Sequence, residues 1–280
     1  MKNKFKIILI GDECVDEFQY GTVTRINPEA PSPIFDIEPE KKKINKGMCG
    51  NVELNLVALA KQEAPEIIKL VTPTPTVKTR IVDSKSGQIL LRLDSPKQKS
   101  EHFKLNSLKN IVEEHDGEID AIVVSDYNKG FLNNINIRQI INIAKTYKIV
   151  TFFDTKKLID SYFSGANFIK INSAEDAYNR SNNCLPESCC DNYIVTNGEN
   201  GCVWINSGGR VKKISTQKVD VACVSGAGDT VLAALVTRYL ECGGIEESIN
   251  FSMAAASEVV KHRNVVAANR FEINHCEKKL

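Results

Sequence analysis

Short apolar runs and helical patterns alternate along this chain. Five stretches, Lys6 to Ile10, Ala121 to Ser125, Ile149 to Phe153, Phe168 to Ile171 and Tyr193 to Thr196, are β-rich and almost continuously apolar. Strands covered on both faces read this way, whereas a half-solvated strand alternates. Between them, Asn133 to Tyr147 puts Ile137, Ile140, Ile141 and Ala144 on one helical face. Helical spacing returns after Gly226 through Val231, Leu232, Leu235 and Tyr239. It returns again in Ile245 to Arg263, which holds Ala254, Ala255 and Ala256. Strands separated by helices predict an α/β fold, with a mostly parallel sheet covered by helices on both faces.

Two regions break the alternation. Residues 18–39, "FQYGTVTRINPEAPSPIFDIEP", and 76–94, "TVKTRIVDSKSGQILLRLD", read as irregular strands and a hairpin turning at Lys85-Ser86-Gly87. Together they predict a small antiparallel sheet, placed as a β-lid over the open end of the main sheet or as a plain β-extension. No internal repeat, low-complexity tract or Gly/Ser linker interrupts the chain.

Composition narrows the class. With 280 residues, 42% of them hydrophobic, the chain can bury one large α/β core, and a single domain over 1–280 is the expectation. A formal net charge of +1 gives no broad basic field, so neither nucleic acid nor a membrane surface is an expected partner. The nine cysteines are an odd number in irregular places. Cys184, Cys189 and Cys190 lie close together, but no CxxC pair or nearby His supports a metal, so reduced cytosolic thiols are expected. The opening "MKNKFKIILIGD" is basic and then apolar, but its apolar run is too short for a signal peptide and ends in Gly11-Asp12. It reads as a first strand, and the expected location is cytoplasmic.

Chemistry collects at strand ends, where ligands of open α/β sheets bind. Gly11-Asp12 and Asp16 follow the first strand, and "GMCGN" (Gly47 to Asn51) opens a helix. "SDYNKG", "DTK", "NSAED" and "TNGENG" follow four others. Each alone is compatible with ordinary caps and turns. The strongest signal is "CVSGAGDTVLAALV", residues 223–236. Small residues at the first turn of a helix leave backbone amides uncovered at the positive end of the dipole, which makes an anion site. A carboxylate beside that site, Asp229, is suited to taking a proton while the anion is transferred. A first-turn acid is also favoured by the dipole alone.

"VSGAGDT", with "NSAE" and "TNGENG" before it and Gly47 and Asn51 early, resembles the ribokinase (PfkB) family of sugar kinases. "GDECVDEFQYGTVTRINPEAPSPIF", "GNVELNLVAL", "SDYNKG" and the Asp154/Lys156 pair are similar, within it, to the heptose 7-phosphate kinases of lipopolysaccharide precursor synthesis. The resemblance covers nearly the whole chain. It implies a ribokinase-like fold, ATP and Mg²⁺ as cofactors, and a sugar phosphate as substrate. It also implies a homodimer formed through the β-lid. Asp229 matches the catalytic base, and Gly226, Ala227 and Gly228 match the anion hole. Asn172 and Glu175, with Ser173 and Ala174 between them, match the Asn-x-x-Glu that orders Mg²⁺ and the nucleotide phosphates, Glu175 being the residue for the metal. The same four residues also outline a helix capping box. Thr196, Gly198 and Gly201 match the nucleotide-side loop, and Asp12, Asp16, Gly47 and Asn51 match sugar-hydroxyl contacts. Asp126 and Lys156 join the substrate set. In the hairpin, Lys78, Arg80 and Arg92 are candidates for the substrate's own phosphate, which needs fixed cations; solvated strand charges are the alternative.

Departures from the family pattern are local. Met48 stands where a second Gly is usual, and Cys223 where an Asp commonly lies near a monovalent cation. Between Lys61 and Thr76 the chain is shorter than its relatives, with "EIIKLV" as the remnant of a strand. No nucleotidyltransferase motif follows before Leu280. A kinase for another sugar or nucleoside, and a catalytically reduced binding relative, are the competing readings. No GxGxxG follows the first strand and no GK[ST] exists, against a dehydrogenase or a P-loop kinase.

Overall fold

The structure, a computed structural model, describes residues 4–95 and 102–277. In chain order its elements are β1 (Lys6–Gly11), β2 (Glu13–Ile26), β3 (Pro33–Met48), α1 (Cys49–Ala58), β4 (Glu66–Val71), β5 (Thr76–Asp83) and β6 (Ile89–Asp94). There follow α2 (Leu105–Glu114), β7 (Ala121–Asp126), α3 (Asn134–Thr146), β8 (Val150–Thr155), β9 (Ala166–Asn172), α4 (Ser173–Ser181) and β10 (Cys190–Thr196). β11 (Cys202–Asn206), β12 (Val211–Ile214), α5 (Ala227–Cys242), α6 (Ile245–Val259) and α7 (Arg270–Glu277) complete the chain.

The main sheet has eight strands in the order β12-β11-β10-β9-β8-β7-β1-β4. From β10 to β4 every pairing is parallel, and β11 and β12 add an antiparallel edge. All five sequence-predicted strands are in it. Alternate residues of each strand feed two cores, as the period of two requires. Ile8, Ile10, Ile122, Val124, Phe153 and Ile169 pack under α2 and α3. Ile7, Leu9, Val123, Phe152, Phe168 and Ile194 pack under α1, α5 and α6. In the second core Phe152 stacks on Phe168 at 4.6 Å, and Tyr239 of α5 meets Phe168 edge-on at 4.8 Å. The helical face read from Val231 to Tyr239 is therefore a core face.

Three expectations change. The "EIIKLV" segment is a full edge strand, β4, in register with all of β1. The helix expected to reach Arg263 stops at Val259. The small sheet is longer and mixed. Its order is β3-β2-β5-β6, and β2 runs parallel to β5 while pairing antiparallel with β3. Parallel neighbours need a crossover, and here β3, α1 and β4 supply it. The hairpin of β5 and β6 forms as predicted. Among the described residues no helix is long and apolar enough to cross a membrane. Eight cysteines are described and all are unpaired; the Cys276 side chain lies outside the described residues.

Candidate active site

Gly226 caps α5 in the left-handed region at φ 82°. A Cβ there would lie 2.7 Å from Asn51 Nδ2 and 3.0 Å from a Val265 methyl, so only glycine fits. This close approach brings α1 against α5. Asn51 Nδ2 donates to the Gly226 carbonyl at 3.2 Å and to Asp229 Oδ2 at 3.1 Å. Of the three amides in the expected anion hole, that of Ala227 is turned back onto the Val224 carbonyl at 3.3 Å.

Asp229 is 3% exposed. Its carboxyl is pushed up to about 6, mainly by burial and then by the Asp154 charge, while hydrogen bonds from Asn51 and Tyr127 and the Lys170 charge oppose the rise. A carboxylate poised near neutral pH is suited to general-base work.

Around Asp229 lies a pocket of about 170 Å³ lined by Cys14, Asp16, Gly47, Met48, Asn51, Lys78, Arg80, Tyr127 and Gly226. Parallel pairing of β2 with β5 sets Asp16 opposite Lys78 and Phe18 opposite Arg80. Arg80 Nη1 donates to Asp16 Oδ1 at 2.5 Å, and its guanidinium stacks 5.1 Å from the Phe18 ring. Gly47 lies so close to the Cys14 and Asp16 side chains that a Cβ would fall within 2.5 Å of both. Met48 is buried against the pocket at φ 53° and ψ −127°, a conformation dominated by glycine. The departure at this position therefore carries backbone strain as well as bulk.

Not every expected substrate residue faces this pocket. Arg92 stands opposite Arg80 in the β5–β6 register but is half exposed, tied to Asp94 by two bonds of 2.6 Å. Asp126 is turned inward, accepting from the Asn128 amide at 2.8 Å and Thr155 Oγ1 at 3.1 Å, with Lys157 Nζ 3.5 Å away. Asp12 is also buried, and its Oδ2 accepts the Tyr127 amide at 2.8 Å. Its Oδ1 has no hydrogen-bond partner, and burial together with the Asp126 charge pushes the group up to about 6. Lys156 sits on the other side of Tyr127, with Nζ 2.8 Å from Glu175 Oε1 and 4.9 Å from the Tyr127 ring.

Asn172 and Glu175 complete the capping box of α4: Asn172 Oδ1 accepts the Glu175 amide and Glu175 Oε2 the Asn172 amide, both at 2.9 Å. Ser173 and Ala174 form the first turn between them. The box and the phosphate-side role are compatible. A Mg²⁺ carried by nucleotide phosphates keeps several waters and needs only one or two carboxylates. Glu175 fits such an ion through those waters, since both its oxygens have protein partners. Thr196, Gly198 and Gly201 line a second cleft of about 190 Å³, together with Ala227 and Gly228 and with Val219, Val221, Val224, Met253 and Val260 as apolar walls. Cys223, on the loop into α5, accepts the Ser225 amide on its sulfur at 3.4 Å.

Two side chains that reach this site escaped the sequence reading. Tyr127 Oη donates to Asp229 Oδ1 at 2.8 Å. Lys170, 3% exposed, has Nζ 2.6 Å from Asp154 Oδ2 and donates to the Gly228 carbonyl at 3.1 Å. Lys170 had a signal: a lysine inside the apolar run "FIKIN" is out of place unless paired. Tyr127 had none beyond its place in a strand-end loop.

Comparison with known proteins gives the family and the fold. The description "pfkB family carbohydrate kinase" matches residues 74–271. Curated relatives named bifunctional protein HldE include those of Hydrogenovibrio crunogenus, 27% identical over 97% of this chain, and Helicobacter pylori, 29% identical over 96%. The chain spans 62% and 65% of the length of these two relatives. Similar solved structures include Escherichia coli phosphofructokinase-2 in complex with fructose-6-phosphate, at a TM-score of 0.72 and 15% identity, covering 99% of both chains. Thermotoga maritima ribokinase matches at 0.66 and 17%, covering 98% of this chain and 99% of that one. The fold is ribokinase-like.

Proposed function

The chain belongs to the pfkB family of carbohydrate kinases, phosphotransferases acting on a sugar hydroxyl, and on that premise we propose that it transfers the γ-phosphoryl group of ATP to the anomeric hydroxyl of a heptose 7-phosphate. The observation that carries the acceptor's class is that Lys78 and Arg80 line the pocket that holds Asp229. A pocket for an uncharged sugar needs hydroxyl partners, whereas two fixed cations match a phosphate remote from the reacting hydroxyl.

In this reading ATP occupies the cleft of Thr196, Gly198 and Gly201, its base against the valine walls. Asp229 takes the proton of the acceptor hydroxyl as that oxygen bonds to the γ-phosphorus and the bond to the bridging β–γ oxygen breaks. Charge spreads over the transferring group, and the α5 N-terminus, the amides of Gly226 and Gly228 and the Lys170 ammonium stabilise it. Asn172 and Glu175 orient the phosphates. Bound Mg²⁺ supplies further neutralisation of the β- and γ-phosphate oxygens.

The same reading includes a cytoplasmic homodimer. On the small sheet, Ile44, Leu91 and Leu93 share the face opposite Asp16 and Lys78, and all three are exposed (61%, 54% and 51%). Burying that face against a second lid removes an apolar patch and covers the sheet. The test of function is phosphoryl transfer from ATP to heptose 7-phosphate and to the unphosphorylated heptose, with the product's anomeric phosphate identified. Preference for the phosphosugar by roughly 10-fold or more is expected, the scale of one or more charge-assisted contacts. Equal or better use of the free sugar overturns the assignment.

A further inference from the structure

Both carboxylate oxygens of Asp229 have hydrogen-bond donors. Asp229 Oδ1 already accepts a hydroxyl hydrogen from Tyr127 at 2.8 Å, and Oδ2 accepts from Asn51 at 3.1 Å. Heavy-atom reach of this kind is what a base requires of the hydroxyl it deprotonates. Tyr127 thus takes one of the acceptor positions on Oδ1 that a substrate hydroxyl would use.

The way the side chain is held fits a movable occupant. Its backbone is fixed, the amide donating to Asp12 Oδ2. Its ring is partly exposed and lines the acceptor pocket. Lys156 Nζ and Lys78 Nζ lie 4.9 and 5.9 Å from the ring centroid, cation–π contacts that a substrate carrying phosphates competes for. Binding of a phosphosugar would therefore loosen the ring's contacts while offering Asp229 a new donor.

We propose that Tyr127 is a positioning residue whose hydroxyl holds Asp229 Oδ1 until the acceptor displaces it, so that the base does not activate water against bound ATP. The proposal rests on the reading of Asp229 as base, and not on the identity of the sugar. The reaction held in check is hydrolysis. A water proton passes to Asp229 Oδ1, the water oxygen bonds to the γ-phosphorus, and the bond to the bridging oxygen breaks to give ADP and inorganic phosphate.

Tyr127→Phe keeps the ring and its cation contacts and removes only the hydroxyl. With Mg²⁺-ATP and no sugar, this variant should release inorganic phosphate about tenfold faster than the parent, the scale of one hydrogen bond. Adding Asp229→Asn should abolish the gain. A second readout is the pH profile of sugar phosphorylation. Losing a donor to the carboxylate raises its affinity for protons, so the acid limb should move to higher pH. Asp154 and Lys170, from β8 and β9, and the thiols of Cys14 and Cys49 also face Asp229, and this substitution leaves them in place. Unchanged hydrolysis with an unmoved acid limb overturns the proposal even if heptose 7-phosphate is a good substrate. A gain that survives Asp229→Asn overturns it too, and counts against Asp229 as the base. A gain lost with Asp229→Asn sustains it whatever sugar the enzyme prefers.

Discussion

Replacing Lys170 by methionine separates what this residue does for the fold from what it does for transfer. Lys170 is 3% exposed, with Nζ 2.6 Å from Asp154 Oδ2 and within hydrogen-bond reach of the Gly228 carbonyl. Methionine fills similar space without charge, leaving the largely buried Asp154 carboxylate without its ion-pair partner. Breaking a buried pair by removing one partner costs about 3–5 kcal/mol. At roughly 2–4 °C per kcal/mol for a chain of this size, the thermal midpoint should fall by about 6–20 °C. The loss has a pH signature. Burial already raises Asp154 above the usual carboxylate value, and Lys170 is the main influence opposing it. Without Lys170 the folded-state value rises further. A group raised on folding favours the folded state when protonated, and that support disappears as pH climbs through the folded value. The variant should therefore be less impaired at pH 5.5 than at pH 8. Adding Asp154→Asn should recover most of the stability, because no buried charge is left alone. Turnover should not recover: the double variant still lacks a cation at the Gly228 carbonyl, beside the proposed anion hole, a loss of about 10²–10³-fold for one electrostatic contact. Denaturant melts at both pH values and single-turnover transfer from ATP decide the matter. A Lys170→Met protein as stable as the parent at pH 8, or one that turns over within about twofold of it, would refute the reasoning.

Further expectations follow from the same site. Asp229→Asn should bind ATP normally and lose turnover by roughly 10²-fold or more, the scale of a lost general base; parent-like turnover would remove Asp229 from that role. The base must be ionised and its carboxyl sits at about 6, so kcat/KM in the parent should fall as pH drops through that value; a profile flat to pH 5 contradicts it. Arg80→Gln should weaken capture of the phosphosugar by roughly 10- to 100-fold while ATP affinity holds, and an unchanged KM would mean that the guanidinium only serves Asp16. Light scattering should find a dimer that Leu91→Asp with Leu93→Asp dissociates; a parent monomer at all working concentrations would sink the lid-to-lid pairing.

Local chemistry made part of this protein legible from its residues alone. Near-continuous apolar runs separated by helical patterns implied strands buried on both faces, and all five are in the main sheet. Small residues around Ala227 pointed to a helix start, and Gly226 at φ 82° caps α5, although the Ala227 amide is spent on the Val224 carbonyl. The Asn-x-x-Glu spacing matched a capping box because three residues span the first turn, and the box forms. What periodicity could not supply was pairing between distant segments. The residues of β2 and β5 are about sixty apart, and nothing in either announces that they lie parallel. That register alone sets Arg80 against Asp16 and turns both towards Asp229. Sequence parity put Lys78 and Arg80 on one face but could not see Arg92 held at the rim by Asp94. Nor could it tell that Asp126 spends both oxygens on its own loop and on Thr155. Tyr127 and Lys170 reach Asp229 and Gly228 from strand ends more than fifty residues away in the chain. A hydrogen bond depends on distance in space, and only the closed tertiary fold makes those distances short.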